Sequence, residues 1–306
     1  MFDPWILKNI YMKLIAVIGS GTMGNGIAHT FAQAGYRVNL IDLNQERLNA
    51  ALLTIEKNLD RQISKGLILA DQKSDVLQNI QSFTQLNEGV SDAELVIEAA
   101  TEDVAIKLKI FEDLDKFCKA DTILASNTSS ISITKIAGVT RRPDKIIGMH
   151  FMNPVPVMKL VEVIRGFSTS DETTKTIMNL SAQINKVPVE VHDYPGFVAN
   201  RILMPMINEA IQCLHESVAG VHEIDTVMKL GMSHPMGPLQ LADFIGLDVC
   251  LAILNVLYQG FGNPKYAPSP LLVNMVASGQ LGVKSGSGFY DYTGGTKELV
   301  VSKRWG

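Results

Sequence analysis

The sequence predicts two domains: an α/β domain on a doubly wound parallel sheet with a helical hairpin insertion, followed by an all-α C-terminal domain. Three observations carry this prediction. Short apolar runs alternate with helical patterns through the first part of the chain, as in a parallel sheet covered by helices. A glycine loop, Gly19-Ser20-Gly21-Thr22-Met23-Gly24, joins the first apolar run to the first helical pattern. After Asp193 a turn signal, Tyr194-Pro195-Gly196, opens a stretch whose apolar period is 3.6. The boundary falls at 193–195, giving domains 12–193 and 194–306.

The elements follow in order. Residues 13–18 form a short apolar strand, and a helix runs from the glycine loop to about Ala34, where Gly35 ends it. Residues 37–42 make the second strand. Helical patterns over 45–64 and about 70–78 form the hairpin. Strands are expected at 94–99, 122–125 and 145–149, and 159–164 and 187–191 extend the sheet. In the second domain, helices are expected over 197–217, 221–230, 238–244 and 248–258. Residues 1–11 lack an apolar signal core and read as an extension ahead of the first strand, with Met12 as an alternative start.

Composition narrows the function classes. With 306 residues, 46% hydrophobic and 19% charged, the chain reads as globular and long enough for two cores. A net charge of -4 leaves no basic excess for general nucleic-acid binding. No apolar run approaches the roughly 20 residues of a membrane span, so no membrane partner is expected. Cys118, Cys213 and Cys250 are scattered without metal-ligand spacing, which points to reduced thiols, a cytoplasmic setting and no metal.

The G-x-G-x-x-G run lies directly after a strand and opens a helix. Its first glycine allows a tight turn, its second lets backbone approach a pyrophosphate, and its third permits close helix–strand packing. The helix N-terminus offers N–H groups to the anion. Asp42 closes the second strand 18 residues past Gly24, where a carboxylate would bind ribose hydroxyls and repel a 2′-phosphate. NAD is therefore expected over NADP. The alternative is a glycine turn in another doubly wound protein, with Asp42 capping the next helix.

Lys57, Arg61 and Lys65 fall at i, i+4 and i+8 on the long helix and share a face. Such a stripe could contact the phosphates of a ligand such as coenzyme A; the alternative is a solvated face beside Glu56 and Asp60.

Three segments place polar residues at strand ends or turns: 125–130, 150–156 and 195–201. His150, at the C-terminal end of a strand, can take a proton from an alcohol. Glu162 sits in the apolar run Leu160-Val161-Glu162-Val163-Ile164, where a carboxylate is costly unless paired, and His150 is a plausible partner. The bland alternatives are a structural histidine, Ser129 as a helix N-cap, and Glu162 facing solvent.

At these segments the chain resembles the 3-hydroxyacyl-CoA dehydrogenase family, especially its short-chain bacterial branch acting on 3-hydroxybutyryl-CoA. The resemblance runs from about Lys13 to Tyr292. It rests on the run from Val17 to Gly24, Ser126-Asn127-Thr128-Ser129-Ser130, His150 through Met158 and Leu160-Val161-Glu162-Val163. It continues in Pro195 to Arg201, His234-Pro235-Met236-Gly237-Pro238 and Lys284-Ser285-Gly286-Ser287-Gly288-Phe289-Tyr290. Met152 and Ala199 depart from the pattern, replacing an aromatic and a larger aliphatic, and neither supplies a functional group.

The resemblance implies a Rossmann-like NAD domain, a helical domain that dimerises, and an acyl-CoA substrate in the cleft between them. It makes His150 the catalytic base, Glu162 its orienting partner, Ser129 a substrate contact and Asn200 an active-site residue. It places Glu102 and Lys107 by the nicotinamide ribose, Asn127 near the cofactor, and Lys284 as a further cofactor contact. Asn58 and Lys65 match positions that contact coenzyme A, with Arg61 in a supporting electrostatic role. The implied setting is fatty-acid and butanoate metabolism. Two rivals remain at this point. A dehydrogenase of free hydroxy acids would need no cationic hairpin and would usually carry a catalytic lysine, for which no motif is found. A non-catalytic NAD-binding protein would be signalled by loss of His150 or Glu162.

Overall fold

The structure is a computed structural model that describes residues 12–296 and 299–305, so the extension read at 1–11 lies outside the described residues. The chain divides between Tyr194 and Pro195.

In the first unit the buried apolar runs become the middle of a sheet. β1 (Leu14–Ile18) leads through the glycine loop into α1 (Thr22–Gln33) and β2 (Arg37–Ile41). The hairpin follows as α2 (Gln45–Ser64) and α3 (Gln72–Gln78), then β3 (Ile80–Phe83), α4 (Leu86–Val90) and β4 (Leu95–Glu98). The remaining elements are α5 (Val104–Phe117), β5 (Ile123–Ser126), α6 (Ile133–Ala137), β6 (Ile146–Phe151), β7 (Leu160–Arg165), α7 (Asp171–Gln183) and β8 (Val187–His192). The strand order is β3-β2-β1-β4-β5-β6-β7-β8, parallel except where β7 runs antiparallel to β6. Chain order reverses between β1 and β4, so their C-terminal ends form a switch point, where such sheets bind ligands. Leu95, Val96 and Ile97 in β4 are fully buried, as expected of a strand covered on both faces.

Five elements of this unit have no counterpart in the sequence reading; α4 and α6 are five residues each, too short for a helical period to show. β3 is an edge strand, half-buried and polar at Gln81 and Ser82, so it lacks a clean apolar run. In α5 the buried face includes Lys107 and Asp115, and in α7 it includes Thr173, Thr174 and Thr176, which blurs the helical period. Both helices nevertheless begin with a local cap. Asp103 accepts from Ile106 N and Ser170 from Thr173 N, a signal present in the sequence. β6 runs two residues past its expected end, because β7 continues the pairing through His150 and Phe151.

His29 lies on the buried face of α1 and is fully covered. Burial, reinforced by the charge of Lys186 and opposed by Gln33, lowers its pKa from 6.5 to about 4. Between those values the unfolded chain holds a proton that the folded chain refuses, so folding stability falls as pH drops through this window. The size is on the order of 3 kcal/mol for a shift of this extent. His29→Leu should therefore flatten the loss of thermal stability between pH 6.5 and 4 relative to the native chain. An unchanged pH slope would remove His29 as the responsible group. The native-minus-variant difference is the quantity to read, because Asp243, pushed up to about 6 by burial, acts in the opposite sense. Its contribution is present below 3.8 and lost as pH rises through about 6.

The second unit is mainly helical. Its elements are α8 (Ala199–His215), α9 (Val221–Thr226) running into a π turn at Val227–Gly231, α10 (Pro238–Ile245), α11 (Leu247–Phe261) and α12 (Pro270–Ala277). Helix α12 and a short antiparallel pair, β9 (Tyr290–Asp291) with β10 (Val300–Val301), add to the four helices that the sequence led us to expect. Two buried carboxylates tie this unit together. The start of α10 has no local cap; instead the distant Asp225 accepts from Leu239 N and Gln240 N, both at 2.9 Å, and from the Tyr290 hydroxyl at 2.8 Å. Asp243 accepts from Phe289 N at 3.1 Å, Tyr290 N at 2.9 Å and the Tyr292 hydroxyl at 3.1 Å. A Cβ on Gly288 would lie 1.9 Å from an oxygen of Asp243, so this close approach requires glycine. Among the described residues no single helix is long and apolar enough to cross a membrane. The α10–α11 pair passes together but is bent by 97°, and its apolar side is core.

Candidate active site

The glycine loop is built as a cradle. Gly19 has φ +91, and a Cβ there would meet Ala100 Cα at 2.6 Å. A Cβ on Gly24 would fall 1.7 Å from Gly19 O, so loop and helix can touch only without one. Gly21 faces open space, and α1 starts just behind it with first-turn N–H groups that no helical carbonyl can reach. The residues present fit a dinucleotide pyrophosphate.

Asp42 is locked to this loop. Its Oδ2 accepts from Ser20 N at 2.8 Å and Ser20 Oγ at 2.7 Å, and its Oδ1 accepts from Leu43 N at 2.7 Å. Burial opposes ionisation, but these bonds and the nearby Arg47 outweigh it and hold the carboxyl below its usual range. Asp42 does not cap the next helix; Asn44 does, accepting from Arg47 N at 2.9 Å.

A pocket of about 200 Å³ opens beside the loop, lined among others by Met23, Thr101, Glu102, Lys107, Asn127 and Thr128. Glu102 accepts from Thr128 Oγ1 at 2.7 Å, Ser129 N at 2.8 Å and Ser129 Oγ at 3.1 Å, which fixes the loop after β5. Ser129 is therefore not a helix cap; Ser132 caps α6 by accepting from Lys135 N. Lys107 is 1% exposed, and its ammonium is paired with Glu98 and lies 3.3 Å from Ser126 Oγ. Its geometry is that of a buried support within the pocket wall.

Glu98 escaped the sequence reading. Fully buried, it accepts from Ala100 N at 2.9 Å and Ser126 Oγ at 2.8 Å as well as from Lys107. The signal was available, because Glu98 ends the apolar run Leu95-Val96-Ile97 in the same way that Glu162 interrupts its own.

His150 and Glu162 stand directly opposite each other in the β6–β7 ladder, so both side chains leave the same face at short range. His150 Nδ1 lies 2.8 Å from Glu162 Oε2, with the residues 9% and 3% exposed. Glu162 does not face solvent. Because a carboxylate only accepts, Nδ1 carries the donated proton and Nε2 is the basic nitrogen. Asn127 ties this strand to the pocket: its Oδ1 accepts from Phe151 N at 2.9 Å while its own N–H donates to Glu98 O at 2.8 Å. Lys186, which sequence reading also missed, clamps the turn between β6 and β7 by donating to Val155 O and to Met158 O at 2.8 Å. Burial, with the charge of Lys159, lowers its pKa to about 8.

On the hairpin, Lys57 and Arg61 are exposed along α2, Asn58 is half-buried, and Lys65 is the exposed residue that ends the helix. The neighbouring carboxylates, Glu56 and Asp60, pair instead with Lys73 at 3.1 and 2.6 Å. In the second unit, Asn200 is 8% exposed in the first turn of α8, with its N–H bonded to Gly196 O. Lys284 pairs with Asp248 at 2.5 Å within the same unit. The first unit thus gathers the glycine loop, Asp42, Glu102, Lys107, Asn127, Ser129, His150 and Glu162 on its sheet, with Asn58 and Lys65 on its hairpin; Asn200 and Lys284 belong to the second unit.

Comparison with known proteins gives a consistent result. The family model for the 3-hydroxyacyl-CoA dehydrogenase NAD binding domain matches residues 14–194, and that for the family's C-terminal domain matches 196–292. The chain is 56% identical over 281 residues to a 3-hydroxybutyryl-CoA dehydrogenase of Clostridioides difficile, covering 92% of this chain and 99% of that one. It is 50% identical over 283 residues to one from Bradyrhizobium diazoefficiens, covering 92% and 96%. Among solved structures, (S)-3-hydroxybutyryl-CoA dehydrogenase from Ralstonia eutropha matches with a TM-score of 0.90 at 48% identity, covering 92% of this chain and 99% of that one.

Proposed function

This chain belongs to the 3-hydroxyacyl-CoA dehydrogenase family, and on that premise we propose that it interconverts 3-hydroxybutyryl-CoA and acetoacetyl-CoA with NAD as the hydride carrier. The observation that carries the chemistry is the buried pair of His150 and Glu162, 2.8 Å apart at a strand end. His150 Nε2 removes the proton of the 3-hydroxyl, Glu162 stabilises the imidazolium that forms, and carbon 3 becomes a ketone. NAD, when bound, takes the hydride from carbon 3. Ser129, its backbone N–H held by Glu102, would turn its hydroxyl from that carboxylate to donate to the reacting oxygen, and Asn200 would position the substrate.

The test is loss of NADH absorbance on adding acetoacetyl-CoA, compared with free acetoacetate. Equal turnover of the two would sink the acyl-CoA reading. We further read the protein as a cytoplasmic homodimer acting in fatty-acid and butanoate metabolism. Free cysteines support the first point, and the exposed Ile202, Leu230 and Met232 of the second unit support dimerisation through its helices.

The coenzyme A site is assigned to the hairpin, at Asn58 and Lys65 with Arg61 nearby. Lys65→Ala should raise KM for acetoacetyl-CoA at low salt by several-fold and leave a truncated thioester lacking the nucleotide almost unaffected. An ordinary solvated lysine contributes only about 0–1 kcal/mol. Equal effects on the two thioesters would place the coenzyme A site elsewhere.

A further inference from the structure

The NAD reading assigns Asp42 to the adenosine ribose but leaves unexplained a second charge at the same rim. Arg47 stands in the first turn of α2, its backbone fixed by the Asn44 cap. Its Nη1 lies 3.8 Å from Asp42 Oδ1, and the two side chains are 67% and 8% exposed. At that separation the pair is not a hydrogen bond, and at that exposure it is a weak, solvent-screened attraction. Asp42, by contrast, is held rigidly by Ser20 and Leu43 and cannot swing out to meet it. One edge of the ribose site therefore carries a fixed carboxylate beside an exposed guanidinium.

We propose that Arg47 is a specificity-determining residue for the cofactor: it offsets part of the repulsion Asp42 exerts on a 2′-phosphate, and it becomes the partner of that phosphate once Asp42 is removed. A guanidinium is suited to this because its fork of donors matches phosphate oxygens. The native preference for NAD is then a difference between two opposed charges rather than the work of Asp42 alone.

This rests on the NAD reading, and direct binding separates the two. Dissociation constants of NADH and NADPH would be measured by nucleotide fluorescence, at low and high salt. The proteins are the native chain, Arg47→Ala, Asp42→Ser and the double variant. Arg47→Ala should widen the native preference, raising the NADPH-to-NADH ratio of Kd by about fivefold, an effect that salt diminishes. Asp42→Ser should tighten NADPH binding by about tenfold or more, and adding Arg47→Ala should abolish most of that gain. A double variant that binds NADPH as well as Asp42→Ser overturns the role of Arg47 while leaving the NAD reading intact. A ratio unmoved by Arg47→Ala overturns it as well, and this exposed substitution makes the test independent of any folding defect at Asp42. A native chain that binds NADPH as tightly as NADH overturns both the reading of Asp42 and the inference built on it.

Discussion

Replacing His150 by glutamine is expected to lower kcat by about 100- to 10,000-fold, the usual cost of losing a general base, with NADH affinity almost unchanged. Glutamine keeps a polar group near the position of the ring but cannot accept a proton from an alcohol at neutral pH. The cofactor contacts assigned to the glycine loop and Asp42 lie on β1, β2 and the turns after them, so they do not depend on this side chain. Steady-state kinetics combined with an NADH titration make the measurement. Near-normal turnover in the variant would remove His150 from the mechanism and favour a merely structural histidine.

Glu162→Gln is expected to cost on the order of 10,000-fold in kcat, by analogy with other carboxylates that hold a catalytic imidazole. The amide can still accept from Nδ1, so the geometry survives. It carries no charge, however, and the imidazolium formed at His150 loses its counter-ion in a site where Glu162 is 3% exposed. Two readouts separate this from general damage. KM for acetoacetyl-CoA should change little, and the double variant with His150→Gln should be scarcely worse than His150→Gln alone, because the two residues act as a unit. Additive losses would show that Glu162 works independently of His150. Thermal unfolding of the variant belongs beside the kinetics, since weakening a buried hydrogen bond to a charged group can cost about 1.5–3 kcal/mol.

The parts of the molecule that were legible without coordinates share a physical trait: they are local. The glycine loop, Asp42 at the end of the second strand and the long hairpin helix depend on neighbours within about one element, where spacing and period carry the information. The elements that were missed are either short, as α4, α6 and α12 are, or carry polar groups on their buried faces. Lys107 inside α5 and the threonines of α7 are acceptable there because of partners elsewhere in the fold. For Lys107 that partner is Glu98, which no period in α5 reveals.

By itself the sequence determined that a strand–glycine loop–helix unit would present N–H groups to an anion. It also determined that a carboxylate would follow at the ribose position, and that a histidine and a glutamate would sit in adjoining apolar segments. These follow from the conformational needs of glycine and from the cost of an unpaired charge in an apolar run. Only the tertiary structure decided that β7 turns back antiparallel in the register that sets His150 against Glu162, since a slip of one residue would send the side chains to opposite faces. It likewise decided that Glu102 holds Ser129 while Lys107 is held by Glu98, and that Glu56 and Asp60 pair with Lys73 across the hairpin. Those pairings join residues from different elements, and their geometry is fixed by how the elements pack rather than by the order in which residues occur.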